Sequence, residues 1–527
     1  MEKGLSEYTI RQPHFVRLSQ WQRKEEVMEP WKVIDIVNAV GGTLLCGEEE
    51  DYITSVSINS KEIEKGALFV PLIGERVDAH TFIGMAVRAG ARAVFTSRDM
   101  AKEEPAYGAS YIRVADTLGA LQKLGMVYRE AYMGTNERYP KIPVIGITGS
   151  VGKTTTKEMI AAALEPKMPV LKTAGNMNSQ VGLPVMMTRL EKYHQGAVIE
   201  MGMSEEGEMS RLAEIAKPEL AVMTNIGISH IAQLGSRENI RKEKANIINA
   251  FPEGGILYLN GDDELLMELI KYQKDLKEGT AGEIPLSLAT QEKLKSSVIL
   301  TFGTKEGLDY RAEDIRTDGE NTSFTYIGPN ETAEITLSVL GKHNVGNALA
   351  ALAVAEHFGI PAAEAGAGLK EYRPIAMRGQ IHEKNGIKIV DDTYNASPDS
   401  MKSGIKVLLS MSGVHRRIAV LADARELGAE SGNAHYGVGV YIARERSGDN
   451  RIDEVITIGG EAAAIAKGVN DNNTTIMTHS FDTNKDALEY LRKTAREGDA
   501  VLVKGSRGMH TDEIVRGFLN DNELKHT

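Results

Sequence analysis

The feature of this sequence that most constrains its fold is a glycine-rich segment between a predicted strand and a predicted helix. The apolar run Pro143–Thr148 predicts a short buried strand, and a helix is predicted from about Thr154. The intervening residues belong to the pattern TGSVGKTT, in which glycines let backbone N–H groups converge on phosphate oxygens at a helix N-terminus. This order of strand, glycine loop and helix predicts a parallel α/β sheet with a phosphate loop at its edge.

Within this loop, Lys153 can reach the outer phosphates of a nucleotide, and the hydroxyl of Thr154 can bind Mg²⁺. The usual phosphate-loop pattern has a glycine five residues before Gly152, where this chain has Ile147, so the comparison narrows to families with the shorter pattern. The alternative is a glycine turn with a chance lysine. The residues predicted to surround the phosphates are Gly149, Ser150, Val151, Gly152, Lys153, Thr154 and Thr155.

Two later side chains are candidate metal ligands. Glu200 lies in the predicted strand Ala197–Met201, at the end where a carboxylate would face the phosphate loop. His230 follows another predicted strand, Leu220–Thr224, and could offer an imidazole to a second metal. A solvated glutamate at a strand end and an ordinary loop histidine are the alternatives, and the residue types alone leave them open.

Apolar runs alternate with helical stretches over most of the chain, which predicts an α/β fold in three domains. The predicted segments are an N-terminal extension (1–28), an αβ domain (29–137), a central parallel-sheet domain (138–372) and a C-terminal α/β domain (373–527). Residues 128–141 are polar, with glycine and proline, and predict a linker. Strand-like alternation over 296–340 predicts a small β extension of the central domain.

Charge and cysteine content restrict the classes of partner. The net charge of −12 argues against a general nucleic-acid binder, because such a surface must neutralise phosphates. A single cysteine, Cys46, cannot form an internal disulfide, which is typical of a reducing compartment. No stretch approaches the ~20 apolar residues of a membrane span. We therefore expect a cytoplasmic protein without a membrane span.

Several further motifs occur in a fixed order. After GITGSVGKTTT (146–156) come TAGNMNSQVGLP (173–184), TNIGISH (224–230), GSRENIRKEK (235–244), GKHNVGNALAA (341–351), DDTYNASPDSM (391–401), LADARELG (421–428) and VLVKGSR (501–507). SINSKEIEKGALFVPLIGERVDAHTF (57–82) precedes them. Over about residues 30–520, the chain with these motifs resembles the Mur ligase family, which builds the peptide stem of peptidoglycan precursors.

This resemblance implies an ATP-dependent amide-bond ligase that works with Mg²⁺ through an acyl-phosphate intermediate. It implies a UDP-binding first domain, a central phosphate-loop ATPase domain and a Rossmann-like C-terminal domain. The motifs are most similar to those of the member that adds D-Ala-D-Ala to a UDP-N-acetylmuramoyl-tripeptide. The expected partners are therefore these small molecules, and the expected state is a monomer.

The resemblance also assigns roles to individual residues. It implies catalytic roles for Lys153, His230, Lys244 and Arg378, with Lys244 carbamylated. The implied metal ligands are Thr154, Glu200, His230 and Lys244. Besides the loop, the implied ATP-binding residues are Asn344, Asn347 and Asp392. The implied substrate-binding residues are Ser60, Lys61, Gly74, Asp78, His80, Asn178, Tyr394, Asn395, Lys504, Ser506 and Arg507.

The chain departs from the family pattern at five positions, which leaves room for a different substrate or weaker activity. These positions are Asn59, Lys61, Ser179, Asn246 and Ala422. Alternatives to the dipeptide-adding ligase are a ligase that adds a single amino acid to the same precursor, one that adds glutamate to a folate, and a catalytically silent homologue. From the residues alone, Lys244 would be a solvated lysine on a helix.

Overall fold

The computed structural model describes residues 28–98, 108–134, 138–280, 282 and 284–520. Three large sheets flanked by helices follow one another along the chain, which confirms the α/β prediction. The predicted N-terminal extension, apart from Met28, lies outside the described residues. Within the described part of the chain, no helix is both long and apolar enough to cross a membrane.

The first sheet has five strands in the order β2-β7-β6-β5-β4, of which only β2 is antiparallel to its neighbour. The elements of this part are β1 (Trp31–Lys32), α1 (Val33–Val40), β2 (Thr43–Cys46), β3 (Tyr52–Ile53), β4 (Ser55–Ser57), β5 (Ala67–Phe69), α2 (Ile83–Ala89), β6 (Ala93–Thr96), β7 (Ser110–Arg113) and α3 (Thr117–Ala131).

The prediction of a linker over residues 128–141 is wrong for its first residues. Helix α3 continues to Ala131, and Tyr128 and Tyr132 are fully buried one helical turn apart. Their rings lie 5.6 Å apart, and Tyr132 is 4.8 Å from Tyr139. The polar residues between Tyr128 and Tyr139 predicted a loop. Tyr128 and Tyr132, however, are four residues apart and lie on the buried face at the end of the helix.

The central sheet has nine strands in the order β16-β15-β14-β13-β12-β11-β8-β10-β9. The predicted β extension is present as β14–β16, which pair antiparallel and continue this sheet. The elements are β8 (Val144–Thr148), α4 (Lys153–Leu164), β9 (Val170–Lys172), α5 (Gly182–Met187), β10 (Gly196–Glu200), α6 (Glu208–Ala216), β11 (Leu220–Met223), α7 (Ile231–Leu234), α8 (Arg237–Ala245), β12 (Ile256–Asn260), α9 (Glu264–Glu278), α10 (Leu288–Ser296), β13 (Val298–Gly303), β14 (Tyr310–Asp318), β15 (Asn321–Ile327), β16 (Thr332–Leu337), α11 (Lys342–His357) and α12 (Ala362–Glu371).

The C-terminal sheet has the order β17-β18-β22-β19-β20-β21, with β17 antiparallel and the other five strands parallel. Separate apolar clusters cover its two faces, as expected for a doubly wound α/β fold. Its elements are β17 (Gln380–Lys384), β18 (Ile387–Asp391), α13 (Pro398–Ser410), β19 (Arg416–Ala422), α14 (Ser431–Arg444), β20 (Glu454–Ile458), α15 (Ala463–Asn472), β21 (Met477–Phe481), α16 (Asn484–Thr494), β22 (Asp499–Lys504) and α17 (Asp512–Asn520).

The first and central parts share one apolar core, in which α3 packs against central helices. Arg129 on α3 is fully buried, and its Nε donates to the carbonyl of Ala216 at 2.9 Å. Its guanidinium lies 3.6 Å from the Glu219 carboxylate. The hydroxyl of Tyr128 donates to the carbonyl of Leu190 at 3.0 Å. These long-range contacts join the two sheets into one packed unit.

Candidate active site

The phosphate loop (residues 149–155) joins the end of β8 to the start of α4, as predicted. Gly149 has φ 150°, and a Cβ there would lie 1.9 Å from Oγ1 of Thr224. Gly152 has φ 86°, and a Cβ there would lie 3.0 Å from Oδ1 of Asn347. Because both positions combine positive φ with close neighbours, only glycine fits the turn.

The segment after β11 holds this loop in place. The N–H groups of Ser150 and Val151 donate to the backbone carbonyl (3.0 Å) and the side-chain oxygen (2.9 Å) of Asn225. The Thr224 hydroxyl donates to the Val151 carbonyl at 2.6 Å. The N–H of Gly227 donates to Oγ of Ser150 at 2.9 Å. Sequence reasoning did not single out Asn225, although it lies inside the TNIGISH motif.

Glu200, at the end of β10, faces the first turn of α4 as the sequence predicts. Its side chain is buried, with Oε2 accepting a hydrogen bond from Oγ1 of Thr154 at 2.8 Å. Its other oxygen accepts from Nδ2 of Asn178 at 2.7 Å. The structure thus brings together two predicted metal ligands and a predicted substrate residue at the carboxyl edge of the sheet. A carboxylate, a hydroxyl and nearby phosphate oxygens are the hard oxygen ligands that Mg²⁺ prefers.

Three cationic side chains converge near the loop. Nζ of Lys153 donates to the Gly149 carbonyl at 2.8 Å. Burial lowers the pKa of Lys153, the Glu200 charge raises it, and the Arg378 charge lowers it again. The guanidinium of Arg378 lies 3.9 Å from the ring centroid of Tyr394. Lys153 and Arg378, both predicted as catalytic, therefore lie close enough for the charge of Arg378 to lower the pKa of Lys153.

Lys244 is the third of these cations. It lies on α8 and is only 1% exposed, so the interpretation as a solvated helix lysine is wrong. Burial lowers the pKa of Lys244 well below its ordinary value, and the charge of Lys153 lowers it further. An amine in this position is neutral at a lower pH than a surface lysine, which is a requirement for reaction with CO₂.

His230 is the N-cap residue just before α7 and has a left-handed backbone conformation, with φ 65°. Its Nδ1 lies 2.8 Å from Oε2 of Glu426 in the C-terminal part, and this contact lowers the pKa of Glu426. Sequence reasoning missed Glu426, although it lies in the LADARELG motif. Over the described ranges, no three His, Cys, Asp or Glu side chains cluster as a preformed metal cage. Threonine and lysine, which the resemblance implies as ligands beside Glu200 and His230, are not among these residue types.

The predicted adenine-side asparagines lie on α11 next to the loop. Nδ2 of Asn347 donates to Oδ1 of Asn344 at 3.1 Å, and Oδ1 of Asn347 accepts from the Thr156 hydroxyl at 3.0 Å. In the C-terminal part, Nζ of Lys504 lies 2.6 Å from Oδ2 of Asp392 and donates to the Asn395 carbonyl at 2.9 Å. These residues form two hydrogen-bonded pairs within the predicted ATP and substrate sets.

The remaining predicted residues are Ser506 and Arg507, which follow β22, and a group in the first domain. Oγ of Ser506 accepts from the N–H of Arg425 at 2.8 Å, and Arg507 is mostly exposed. The first-domain residues form a separate group at the carboxyl ends of β4 and β5, namely Ser60, Lys61, Gly74, Asp78 and His80. Although burial opposes it, hydrogen bonds from Arg98 and His80 lower the pKa of Asp78 to about 2. The roles of these first-domain residues in substrate binding stay predictions.

Comparison with known proteins agrees with this architecture. Family profiles match in three places: "Mur ligase family, catalytic domain" at residues 52–129, "Mur ligase middle domain" at 147–355 and "Mur ligase, glutamate ligase domain" at 377–507. The chain belongs to the Mur ligase family, and it is an ATP-dependent ligase by class.

Individual relatives narrow the similarity. The chain is 37% identical to the UDP-N-acetylmuramoyl-tripeptide–D-alanyl-D-alanine ligase of Bacillus subtilis, over 92% of this chain and 98% of the relative. It is 31% identical to the Escherichia coli protein of the same name, over 88% and 94%. A crystal structure of MurF from Acinetobacter baumannii aligns with a TM-score of 0.79 at 29% identity, over 94% and 100%. MurF from Thermotoga maritima in complex with ADP aligns with a TM-score of 0.72 at 29% identity, over 88% and 96%.

Proposed function

We propose that this chain joins D-Ala-D-Ala to a UDP-N-acetylmuramoyl-tripeptide at the expense of ATP, in peptidoglycan precursor synthesis. The similarity to proteins with that name over nearly their whole length supports the substrates. The observation that carries the chemistry is the phosphate loop with Glu200 held between Thr154 and Asn178. We also propose that the enzyme acts as a monomer in the cytoplasm, where a reducing environment would keep Cys46 as a free thiol.

The reaction has two steps, each with its own requirement. A carboxylate oxygen of the tripeptide attacks the γ-phosphorus of ATP, the bond to the β-phosphate oxygen breaks, and ADP leaves. The amine of the dipeptide then attacks the acyl carbon, loses a proton, and inorganic phosphate leaves with its oxygen. Both steps develop negative charge at the phosphate. Lys153, Arg378 and the N–H groups of the first turn of α4 are fixed charges and dipoles that stabilise it.

We propose that Thr154 and Glu200 hold one Mg²⁺, and that His230 and a carbamylated Lys244 hold a second. Bound there, the metal would neutralise phosphate charge and orient the γ-phosphate. Lys244 as an ammonium would repel a cation, whereas its carbamate presents two anionic oxygens. The burial of Lys244 and its lowered pKa support the carbamate, since CO₂ reacts with the neutral amine.

Carbamylation can be tested with a neighbouring lysine as control. Lys244→Ala should be nearly inactive and should recover part of its turnover with added formate or acetate, which would fill the anionic gap. Lys242→Ala changes a lysine of the same helix with an exposed side chain, and should keep normal turnover. Labelled CO₂ should give one carbamate signal that Lys244→Ala lacks. A fully active Lys244→Ala enzyme without additive would show that no carbamate is needed.

Substrate choice is tested by competition. Purified protein, ATP and a UDP-N-acetylmuramoyl-tripeptide are mixed with equal concentrations of D-Ala-D-Ala and single amino acids. The products are identified by mass spectrometry. The proposal expects the dipeptide product and stoichiometric phosphate release. Preference for a single amino acid would identify the related ligase, and phosphate release with a folate would move the chain to another substrate class.

A further inference from the structure

One short segment of the central domain is also a place where the C-terminal domain contacts it. We name residues 227–232 the docking segment. Ile228 and Ile231 pack against the apolar core under the C-terminal sheet. The N–H of Ala232 donates to the backbone carbonyl of Glu426 at 3.3 Å. A Cβ added to Gly428 would lie 3.1 Å from Cβ of Ala232, so the two backbones approach closely.

The same segment carries His230, and the contact between His230 and Glu426 joins two unusual backbone conformations. His230 has φ 65° and Glu426 has φ 69°, both in the left-handed region. Such a conformation is unfavourable for a residue with a side chain, and persists only where surrounding contacts maintain it. Nδ1 of His230 and Oε2 of Glu426 are 2.8 Å apart. Two strained residues that face each other across a domain boundary indicate a built contact.

The contact is poorly suited to stabilising the fold. The side chains of His230 and Glu426 are 22% and 49% exposed, and ion pairs with that exposure contribute little free energy. The effect of the contact on the orientation of the His230 ring is larger. Nδ1 is buried next to the carboxylate, although its N–H direction is not aligned for a hydrogen bond in this arrangement. Nε2 is therefore the ring nitrogen left to bind a metal. A carboxylate on the second nitrogen is the usual way in which proteins orient a metal-binding histidine.

We propose that Glu426 is a positioning residue, through which docking of the C-terminal domain orients His230 for the second Mg²⁺. The inference rests on the proposed function, which gives His230 its role as a ligand. Its consequence is that the second metal binds tightly only when residues 421–428 lie on the docking segment. The second metal site is therefore completed only when the C-terminal domain is docked on this segment.

Metal binding can be measured without turnover. Full-length protein with a non-hydrolysable ATP analogue is titrated with Mn²⁺ and followed by electron paramagnetic resonance. Glu426→Ala and Glu426→Gly should weaken the second Mn²⁺ site at least ~10-fold, the usual effect of removing a partner of a metal-binding histidine. Analogue affinity should stay within about twofold, because Glu426 pairs with His230 and not with a residue of the phosphate loop. Glu426→Gly also relieves the left-handed strain, so its effect cannot come from poor folding.

Two variants control for charge and location. Glu426→Gln keeps an oxygen that can accept from Nδ1–H and should change the second site less than about threefold. Glu430→Ala removes an exposed carboxylate just beyond the same turn and should change nothing. In the double variant Glu426→Ala with His230→Ala, the two effects should not add, because Glu426 acts through His230.

The outcomes separate this inference from the function it rests on. If His230→Ala loses the second Mn²⁺ site while Glu426→Ala and Glu426→Gly bind as wild type, the positioning role is wrong and the metal assignment stands. If His230→Ala also binds two Mn²⁺ normally, the proposed metal role of His230 fails, and the inference fails with it. Additive effects in the double variant would likewise overturn the positioning role.

Discussion

The central domain meets its two neighbours in very different ways. Towards the first domain it shares a continuous apolar core, with the buried Arg129 and the tyrosines of α3 inserted between helices. Towards the C-terminal domain, the docking segment contributes two half-buried isoleucines and one partly exposed ion pair. Large continuous apolar interfaces fix two domains together, whereas smaller mixed ones permit relative motion. The difference indicates that one side of the molecule supplies stability and the other supplies a contact that forms at the site of chemistry.

The largest expected effect is on the stable side. Arg129→Met removes a buried guanidinium that lies near the Glu219 carboxylate and caps two backbone carbonyls of the central domain. We expect a loss of about 3 kcal/mol in the free energy of unfolding, measured with urea, because buried polar partners are left unpaired. Lys141→Ala is the matched control, since Lys141 also pairs with Glu219, at 2.9 Å, but is mostly exposed. It should cost under about 0.5 kcal/mol. Equal losses would contradict the difference between the interfaces.

The phosphate loop should show the opposite behaviour. Lys153→Ala removes one preorganised charge, and we expect turnover to fall at least ~100-fold while the urea midpoint stays unchanged. Lys167→Ala, beyond the far end of the same helix and half-exposed, should leave both quantities unchanged. Near-normal ATP-dependent turnover of Lys153→Ala would remove the loop from the mechanism.

Acidification should weaken the stable side through His194. This buried imidazole follows the turn after Leu190, and its Nδ1 accepts from the N–H of Glu191 at 3.0 Å. Burial lowers the pKa of His194 to about 4, from an ordinary value of 6.5. The stabilisation is therefore present above pH 6.5 and is lost as the pH falls towards 4. Between about pH 7 and pH 5 we expect a loss of about 2 kcal/mol in the free energy of unfolding. His194→Gln should flatten the pH dependence by that amount, and an unchanged slope would contradict the assignment.

The smallest expected effect concerns the contact between the docking segment and the C-terminal domain. A Cβ at Gly227 would lie 2.4 Å from Oδ2 of Asp399, which reaches the docking segment from α13. Gly227→Ala should lower kcat/KM roughly tenfold by displacing the C-terminal domain, with no change in the urea midpoint. Adding Asp399→Ala removes the clashing oxygen and should restore part of the activity. A lower urea midpoint for Gly227→Ala would instead show that the interface with the C-terminal domain also stabilises the fold.

Local patterns in the sequence were sufficient for the sheets and the loop. The strands predicted at 143–148, 197–201 and 220–224 are found within one residue of the predicted bounds, because short apolar runs between turn residues form buried strands in many contexts. Gly149 and Gly152 were identifiable because a phosphate turn requires their backbone freedom. The predicted placement of Glu200 followed from the rule that parallel strands end at the same edge.

Features that depend on distant contacts were not accessible in the same way. The segment RENIRKEKA is strongly polar, yet Arg241 and Lys244 within it are buried. Arg241 is covered by Tyr272 and Glu268 of α9, residues that no pattern around position 241 could indicate. The contact of His230 with Glu426 spans two domains, and sequence reasoning placed the two residues in unrelated motifs. Burial of a charged side chain is decided by tertiary partners.

The buried arginine of α3 also has a consequence for synthesis on the ribosome. Its acceptor, the carbonyl of Ala216, follows it by 87 residues. At roughly 5–20 residues per second, translation of that stretch takes roughly 4–17 seconds. Until then, the aromatic and cationic face of α3 stays without its partners, so the nascent first domain is open to chaperones and proteases. A fragment that stops before residue 190 should therefore be degraded in cells, whereas the C-terminal sheet, with a core on each face, should survive by itself.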